Sequence, residues 1–194
     1  AVPLPHQQEP LAFGIRPDDD RWTAFVAGTR MAFISVQADE AEYYIKSNKR
    51  EAETVAHLVH TLCQLHSRSG IPFSPCRQIG IIVPFRAQIA MIRKALAERH
   101  IPDTAGITID TVERYQGSQR DIIIFSTTVS RPYQLPILSE PVMIDGRELD
   151  RKLNVALTRA RKQFFMTGNE TLLRKCTAYR EFLDFLSKGQ ILRL

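Results

Sequence analysis

Basic residues gather around the segment from Leu149 to Lys162, which has the apolar spacing of a helix. Leu153 and Ala156 begin an apolar stripe on one helix face, and the charges fall near the two helix ends. Guanidinium and ammonium groups in such a cluster suit charge-assisted bonds to phosphate. The alternative is a solvated helix whose arginines pair with Glu148 and Asp150. The basic cluster consists of Arg147, Arg151, Lys152, Arg159, Arg161 and Lys162.

A second polar segment lies between two apolar runs, Ile107–Asp110 and Asp121–Thr127, which read as strands. Taken alone, its Thr111 is an ordinary β-branched residue at the end of a strand. Gly117 is equally an ordinary turn glycine that permits positive φ. Residue type by itself therefore does not assign chemistry to this segment.

A third segment combines a fully apolar run, Gln78–Val83, with the helical spacing of Arg86–Arg99. Pro84 ends the predicted strand, and Gln88 falls in the first turn of the predicted helix, where exposed N–H groups attract anions. Arg86 has two interpretations that the sequence leaves open. It contacts a phosphate, or it is a solvent-facing arginine at a helix start.

Strands alternate with helices through most of the chain, which predicts an α/β fold with an open, mainly parallel sheet and helices on both faces. Asn48 begins one helix, and Glu51 follows it at the spacing of a capping box. Further strands are predicted at Met31–Val36 and Gln163–Thr167, and helices at Asn48–Ser67, Leu149–Arg159 and Thr177–Leu186.

The polar segments that follow the strands are expected to meet at one edge of this sheet. In open α/β sheets, ligands sit beyond the carboxyl ends of the strands. The segments that would converge there are Pro84–Arg86, Asp110–Gln119 and Gly168–Glu170.

Three segments of the chain resemble motifs of superfamily 1 helicases, in the order that those helicases have. Arg151–Arg161 resembles motif VI, Ile107–Ser126 resembles motif V, and Ile79–Gln88 resembles the stretch after the interdomain linker. The likeness spans roughly Met31 to Leu186 and is nearest the branch that contains the nonsense-mediated-decay helicase. It implies the RecA-like fold of a second motor domain, a P-loop NTPase type without its own P-loop.

The resemblance also implies roles for individual residues. Arg159 would be the arginine finger that reaches the γ-phosphate of ATP held by the partner domain, which is the catalytic role. The nucleotide side would comprise Gly117, Gln119, Arg159 and Arg161. The nucleic-acid side would comprise Pro84, Arg86, Thr111 and Gln116.

Two positions of motif V depart from the pattern of these helicases. Glu113 stands for the usual aspartate, and Gln119 stands for the usual glutamate, which faces the nucleotide in the family. Gln119 removes a negative charge while it keeps a carbonyl acceptor and gains an amide donor. This change motivates an alternative function, a non-catalytic nucleic-acid-binding or interaction module derived from a helicase.

The chain has no G-x-x-x-x-G-K-[ST] loop to cradle phosphates and no acidic Walker B strand. The resemblance therefore implies that ATP and Mg²⁺ are bound mainly by an upstream P-loop RecA-like domain of the same parent protein. The chain would be part of an ATP-dependent helicase on single-stranded DNA or RNA. The isolated domain would be nearly inactive.

Composition predicts one soluble domain and favours an acidic partner without requiring one. The 194 residues are 44% hydrophobic with a formal charge of +5, which permits a sizeable core and favours polyanions. Three widely spaced cysteines and the lack of a long apolar run favour the cytoplasm and exclude a membrane span. Residues 1–30 are interpreted as a linker or domain edge, and residues 31–194 as the helicase domain.

A metal site is not predicted. His57 and His60 share a helix face with Glu53, a spacing that two zinc ligands would use, but no further ligand set follows. A partly exposed helix face is the preferred interpretation.

Overall fold

Six strands form the central sheet of the computed structural model, which describes residue 11 and residues 13–37, 46–115 and 119–194. The strands are β1 (Met31–Ser35), β2 (Ile79–Val83), β3 (Thr108–Thr111), β4 (Arg120–Ser126), β7 (Ala160–Gly168) and β8 (Ile191–Arg193). Their spatial order is β3-β2-β4-β7-β1-β8, and every pair is parallel. The remaining two strands, β5 (Pro141–Ile144) and β6 (Arg147–Asp150), form a separate antiparallel hairpin.

Helices cover both faces of the sheet, as predicted. They are α1 (Arg21–Gly28), α2 (Lys49–Arg68), α3 (Pro75–Gln78), α4 (Arg86–Glu98), α5 (Leu135–Leu138), α6 (Arg151–Thr158), α7 (Glu170–Leu173) and α8 (Thr177–Phe185). Successive strand residues point to opposite faces. Ile34 and Ile81 therefore pack with α1, α2 and α4, while Phe33 and Ile82 pack with α5 to α8.

The buried strands lie where the apolar runs predict them. All five residues of β2 are buried, as expected for a central parallel strand that is covered on both faces. Its glycine, Gly80, is required by packing, because an added Cβ would lie 1.8 Å from the Tyr115 hydroxyl oxygen. The aromatic residue of the motif V segment is thus anchored on the sheet through Gly80.

Helix α2 begins as predicted, but its capping box is only half formed. The Asn48 side chain accepts a hydrogen bond from the Glu51 main-chain N–H at 3.0 Å. The reciprocal bond is not made, because the Asn48 N–H donates to Gln88 at 2.8 Å and the Glu51 carboxylate is buried against the sheet. The capping-box prediction for Glu51 is therefore wrong for its side chain.

The hairpin was not predicted, and it delays the start of α6. Leu149 belongs to β6, and Asp150 caps α6 by accepting from the Leu153 N–H at 2.7 Å. The helix ends at Thr158, and β7 begins at Ala160, three residues earlier than predicted. Arg159 consequently lies in the junction between the helix and a central strand.

Helix α1 precedes the predicted domain and packs on α2. The Trp22 indole N–H donates to the Thr61 hydroxyl at 2.7 Å, and its ring stacks on His57 at 4.6 Å between centroids. The domain boundary at residue 30 stays a prediction. In the part of the chain that the structure describes, no helix combines the length and the apolar character needed to cross a membrane.

Candidate functional site

The predicted site residues fall into two groups at opposite edges of the sheet. Pro84 and Arg86 follow β2, and Thr111 ends β3, so these three lie at the carboxyl edge. Gln119 immediately precedes β4, and Arg159 immediately precedes β7, so both lie at the amino edge. Arg161 is the second residue of β7 and belongs with them.

The expected convergence of residues 110–119 at one edge is therefore wrong. Strands β3 and β4 run in the same direction, so the chain must cross back from the carboxyl edge to the amino edge between them. Thr111 stays at one edge, and Gln119 reaches the other. Gln116 and Gly117 fall outside the described residues, and their predicted roles stay predictions.

At the amino edge, Arg159 is held in place by hydrogen bonds of its main chain. Its N–H donates to the Ala156 carbonyl at 3.3 Å, and its carbonyl accepts from the Arg120 N–H at 3.0 Å. The Arg159 Nε is buried and, within residues 13–37, 46–115 and 119–194, has no hydrogen-bond partner. A buried guanidinium nitrogen without a partner is a site that an anionic oxygen would fill.

The neighbours of Arg159 add positive charge at this edge. The exposed Arg161 donates from Nε to the Gln119 side-chain oxygen at 3.4 Å. Arg120 donates to the Thr108 hydroxyl at 3.2 Å, and its own buried Nε lacks a partner among the described residues. Gln119 therefore contacts an arginine of the group without neutralising it.

One acidic residue at this edge, Asp121, is bound by neighbouring side chains. Asp121 accepts from Lys162 at 3.0 Å and from the Gln78 amide at 3.2 Å. Burial raises the pKa of the Asp121 carboxyl, but the hydrogen bonds from Lys162 and Gln78 outweigh it and hold that pKa below its usual value. This ion pair engages Lys162, and within the described residues the Asp121 side chain makes no hydrogen bond or ion pair with Arg159 or Arg161.

At the carboxyl edge, a cleft of about 460 Å³ opens between β2 and β3. Glu113 lines it and forms an ion pair of 3.1 Å with Lys152 of α6. Three exposed cations line the same cleft, so its net character is basic. The lining residues, here called the basic cleft, are Lys46, Pro84, Phe85, Arg86, Ala87, Thr111, Glu113 and Arg114.

Sequence reasoning missed two of these cations. Arg114 lies inside the motif V segment, between Glu113 and Tyr115, and its position in that segment was an available signal. Lys46 lies in a polar loop before α2 and carries no pattern of its own. Only the tertiary arrangement brings Lys46 to the same cleft as Arg86.

A network of buried polar side chains lies at the carboxyl edge of the sheet. The Glu51 carboxylate accepts from the hydroxyls of Ser126 at 2.9 Å and Thr167 at 2.8 Å, and from the Thr128 N–H at 3.0 Å. Burial raises the pKa of Glu51 to about 7, although these hydrogen bonds oppose the rise. Gln88 lies in the first turn of α4, as predicted, but its side chain is completely buried and does not face a ligand.

A larger cavity lies elsewhere, and none of the predicted nucleotide- or nucleic-acid-binding residues lines it. It measures about 790 Å³ and lies between α1, α2 and the end of α4, where Asp19 pairs with Arg68. His60 lines it, while the neighbouring His57 is stacked on Trp22. Within the described ranges, no three His, Cys, Asp or Glu side chains are grouped so that they would hold a metal ion.

Comparisons with known proteins agree with the motifs. The family model described as "AAA domain" matches residues 14–171. The chain is 33% identical over 143 residues to MOV-10 of Gallus gallus, covering 71% of this chain and 15% of that protein. It is 32% identical over 164 residues to the 3'-5' exoribonuclease HELZ2 of Homo sapiens, covering 82% of this chain and 5% of that protein.

A third relative is named as a DNA helicase. The chain is 35% identical over 104 residues to the DNA polymerase alpha-associated DNA helicase A of Saccharomyces cerevisiae, covering 53% of this chain and 14% of that protein. A solved C-terminal domain of a possible DNA helicase from Lactobacillus plantarum aligns with a TM-score of 0.47 at 12% identity, over 89% of this chain and 92% of that one.

The chain spans only 5% to 15% of the length of the three relatives it matches. The family model nevertheless covers most of its 194 residues, and the segments that resemble helicase motifs occur in order along it. This chain belongs to the AAA-domain family, as the C-terminal RecA-like domain of a superfamily 1 helicase.

Proposed function

We propose that this chain is the second motor domain of an ATP-dependent helicase or translocase that acts on single-stranded DNA or RNA. The observation that carries the proposal is the separation of two basic sites on one sheet. The arginines around Arg159 lie at the amino edge, and the basic cleft lies at the carboxyl edge. Because one sheet carries both sites, a movement of this domain against the upstream domain would displace both sites together.

The amino edge would contribute the arginine finger. ATP with Mg²⁺, held mainly by an upstream P-loop domain of the same parent protein, would supply the phosphoryl group that is cleaved. Arg159 suits the oxygens that gain charge as that group leaves, because guanidinium stays charged and offers a planar fork of donors. Gln119 and Arg161 would line the same side, where their mutual contact sets the position of Arg161.

The carboxyl edge would hold the nucleic-acid backbone. Thr111 ends β3 and lines the basic cleft, and Arg86 is the first residue of α4. Lys46 and Arg114 add charge that attracts phosphate without reading sequence. Pro84 would shape the wall between β2 and α4.

A second candidate function is a non-catalytic nucleic-acid-binding or interaction module. The neutral Gln119 at the nucleotide side favours it, because the charge that the family places there is missing. The sequence upstream of this chain in its parent protein distinguishes the two. An intact P-loop domain supports the motor, and a degenerate one supports the module.

Single-strand binding by the full-length protein is expected to weaken as salt rises, because phosphate contacts release counterions. Replacing Arg86 with alanine should weaken binding to all sequences alike and reduce the slope of log affinity against log salt by about 0.7. Fluorescence anisotropy with a labelled oligonucleotide at several salt concentrations measures both quantities.

Lys94→Ala is the matched control, since Lys94 is an exposed cation on the same helix that pairs with Glu98 outside the basic cleft. Lys94→Ala lowers the net charge by the same amount as the Arg86 substitution and should leave the slope of log affinity against log salt unchanged. Binding that does not depend on salt, or an equal change in both variants, would count against the basic cleft as the strand site.

A further inference from the structure

Gln88 is a completely buried side chain that joins the start of α4 to the start of α2. Its side-chain oxygen accepts from the Asn48 N–H at 2.8 Å, and its amide nitrogen donates to the Asn48 carbonyl at 3.1 Å. Both main-chain groups of one residue are thus bound by one amide, in the manner of a strand pairing. A glutamine amide can do this because it carries an N–H donor and a carbonyl acceptor side by side.

The same amide is tied to the sheet. The Gln88 nitrogen also donates to the Ser126 hydroxyl at 3.3 Å, and that hydroxyl donates to Glu51 at 2.9 Å. Ser126 is the last residue of β4, so the contact fixes Gln88 at the carboxyl edge. All four residues of this chain of bonds are buried, where a polar group that loses its partner costs more than it does at the surface.

We propose that Gln88 is a positioning residue for nucleic-acid binding, an inference that rests on the proposed function. Asn48 lies two residues after Lys46, and Gln88 lies two residues after Arg86 in the first turn of α4. By fixing the main chain of Asn48 on that turn, Gln88 sets the separation of two cations that face one backbone. Gln88 itself contacts no strand, since it is covered on all sides.

A purely structural role is the competing explanation, and Gln163 provides the matched control. Gln163 is also a buried glutamine whose amide binds main-chain groups, the carbonyls of Val26 at 3.2 Å and Thr29 at 2.8 Å. It ties the turn before β1 to β7 and does not line the basic cleft. Methionine at either position removes the amide at similar volume.

The test compares Gln88→Met and Gln163→Met in the full-length protein, with single-strand affinity and amide exchange of Asn48 as readouts. Gln88→Met should weaken single-strand binding about tenfold, the size of one lost contact to a charged group. It should also speed exchange of the Asn48 amide, which loses its acceptor. Gln163→Met should change neither, and the KM for ATP should stay the same in both variants.

A double-mutant cycle with Lys46→Ala makes the test specific. If Gln88 acts by placing Lys46, both substitutions remove the same contact, so their losses of affinity should not add. The double variant should then bind no more weakly than the single variant with the lower affinity. Additive losses, or unchanged affinity in Gln88→Met, would overturn the positioning role. The proposed function would still stand in that case, provided that the wild-type protein binds single strands. If wild type binds no single strand, the proposed function fails, and the inference fails with it.

Gln88→Glu serves if Gln88→Met does not fold. It keeps the size and the acceptor for the Asn48 N–H but loses both donations when its carboxyl is ionised, and a fall in affinity is expected under those conditions. Wild-type affinity in a folded Gln88→Glu would contradict the proposal.

Discussion

Replacing Arg159 with alanine is expected to lower the strand-stimulated ATP turnover of the full-length protein by about 10³–10⁵-fold, the usual cost of losing an arginine finger. The guanidinium would act on charge that develops as the phosphoryl group leaves, so the effect should fall on kcat more than on the KM for ATP. Steady-state ATPase assays with saturating oligonucleotide measure it. Arg77→Ala, which removes an exposed arginine of α3, is the control and should keep wild-type turnover.

The fold should survive this substitution. Arg159 contributes to the fold through its main chain, which bonds to Ala156 and Arg120 and is unaffected by truncation of the side chain. Its buried Nε has no partner within the described ranges, so alanine removes an unsatisfied group. We expect the melting temperature to stay near that of wild type. Turnover retained in a folded Arg159→Ala variant would defeat the arginine-finger assignment.

The free energy of unfolding of the chain should fall by roughly 3 kcal/mol as pH rises from about 4.5 to above 7, through the titration of Glu51. Burial raises the folded-state pKa of Glu51 from 4.5 to about 7. Between these values the folded chain holds a proton that the unfolded chain has released. The stabilisation is therefore complete below pH 4.5 and is lost as pH rises through about 7.

Other groups titrate over the same range, so the difference between wild type and Glu51→Gln isolates this carboxyl. Glutamine keeps the size and an acceptor for Ser126 and Thr167 but does not titrate. Urea unfolding at several pH values should show wild type losing stability relative to the variant up to about pH 7, with no further change above it. A difference that is flat from pH 4.5 to 8 would mean that Glu51 stays ionised and that its hydrogen bonds outweigh burial.

The strands and main helices could be predicted from sequence because their signals are local. The apolar run at Ile79–Val83 and the helical spacing after Arg86 each report on neighbouring residues alone. The hairpin Pro141–Asp150 gave no such signal, because its strands are short and Met143 and Ile144 are exposed. Local periodicity does not identify strands that bury few of their side chains.

The division of the site could not be predicted, because it depends on strand order. Thr111 and Gln119 are eight residues apart, and only the parallel arrangement of β3 and β4 places them at opposite edges. Glu51 and Gln88 were interpreted from local patterns, a capping box and a helix start. The partners of Glu51 lie 75 and 116 residues away, so a local pattern does not reveal them.

Strand-dependent ATPase activity of the full-length protein, measured beside this 194-residue chain alone, tests the central claim most directly. The account predicts that single-stranded DNA or RNA raises turnover by the full-length protein and that the chain alone hydrolyses no ATP. If the full-length protein is folded but its ATP turnover does not respond to any single strand, the proposed motor function would be contradicted. The non-catalytic nucleic-acid-binding or interaction module would then be the better interpretation.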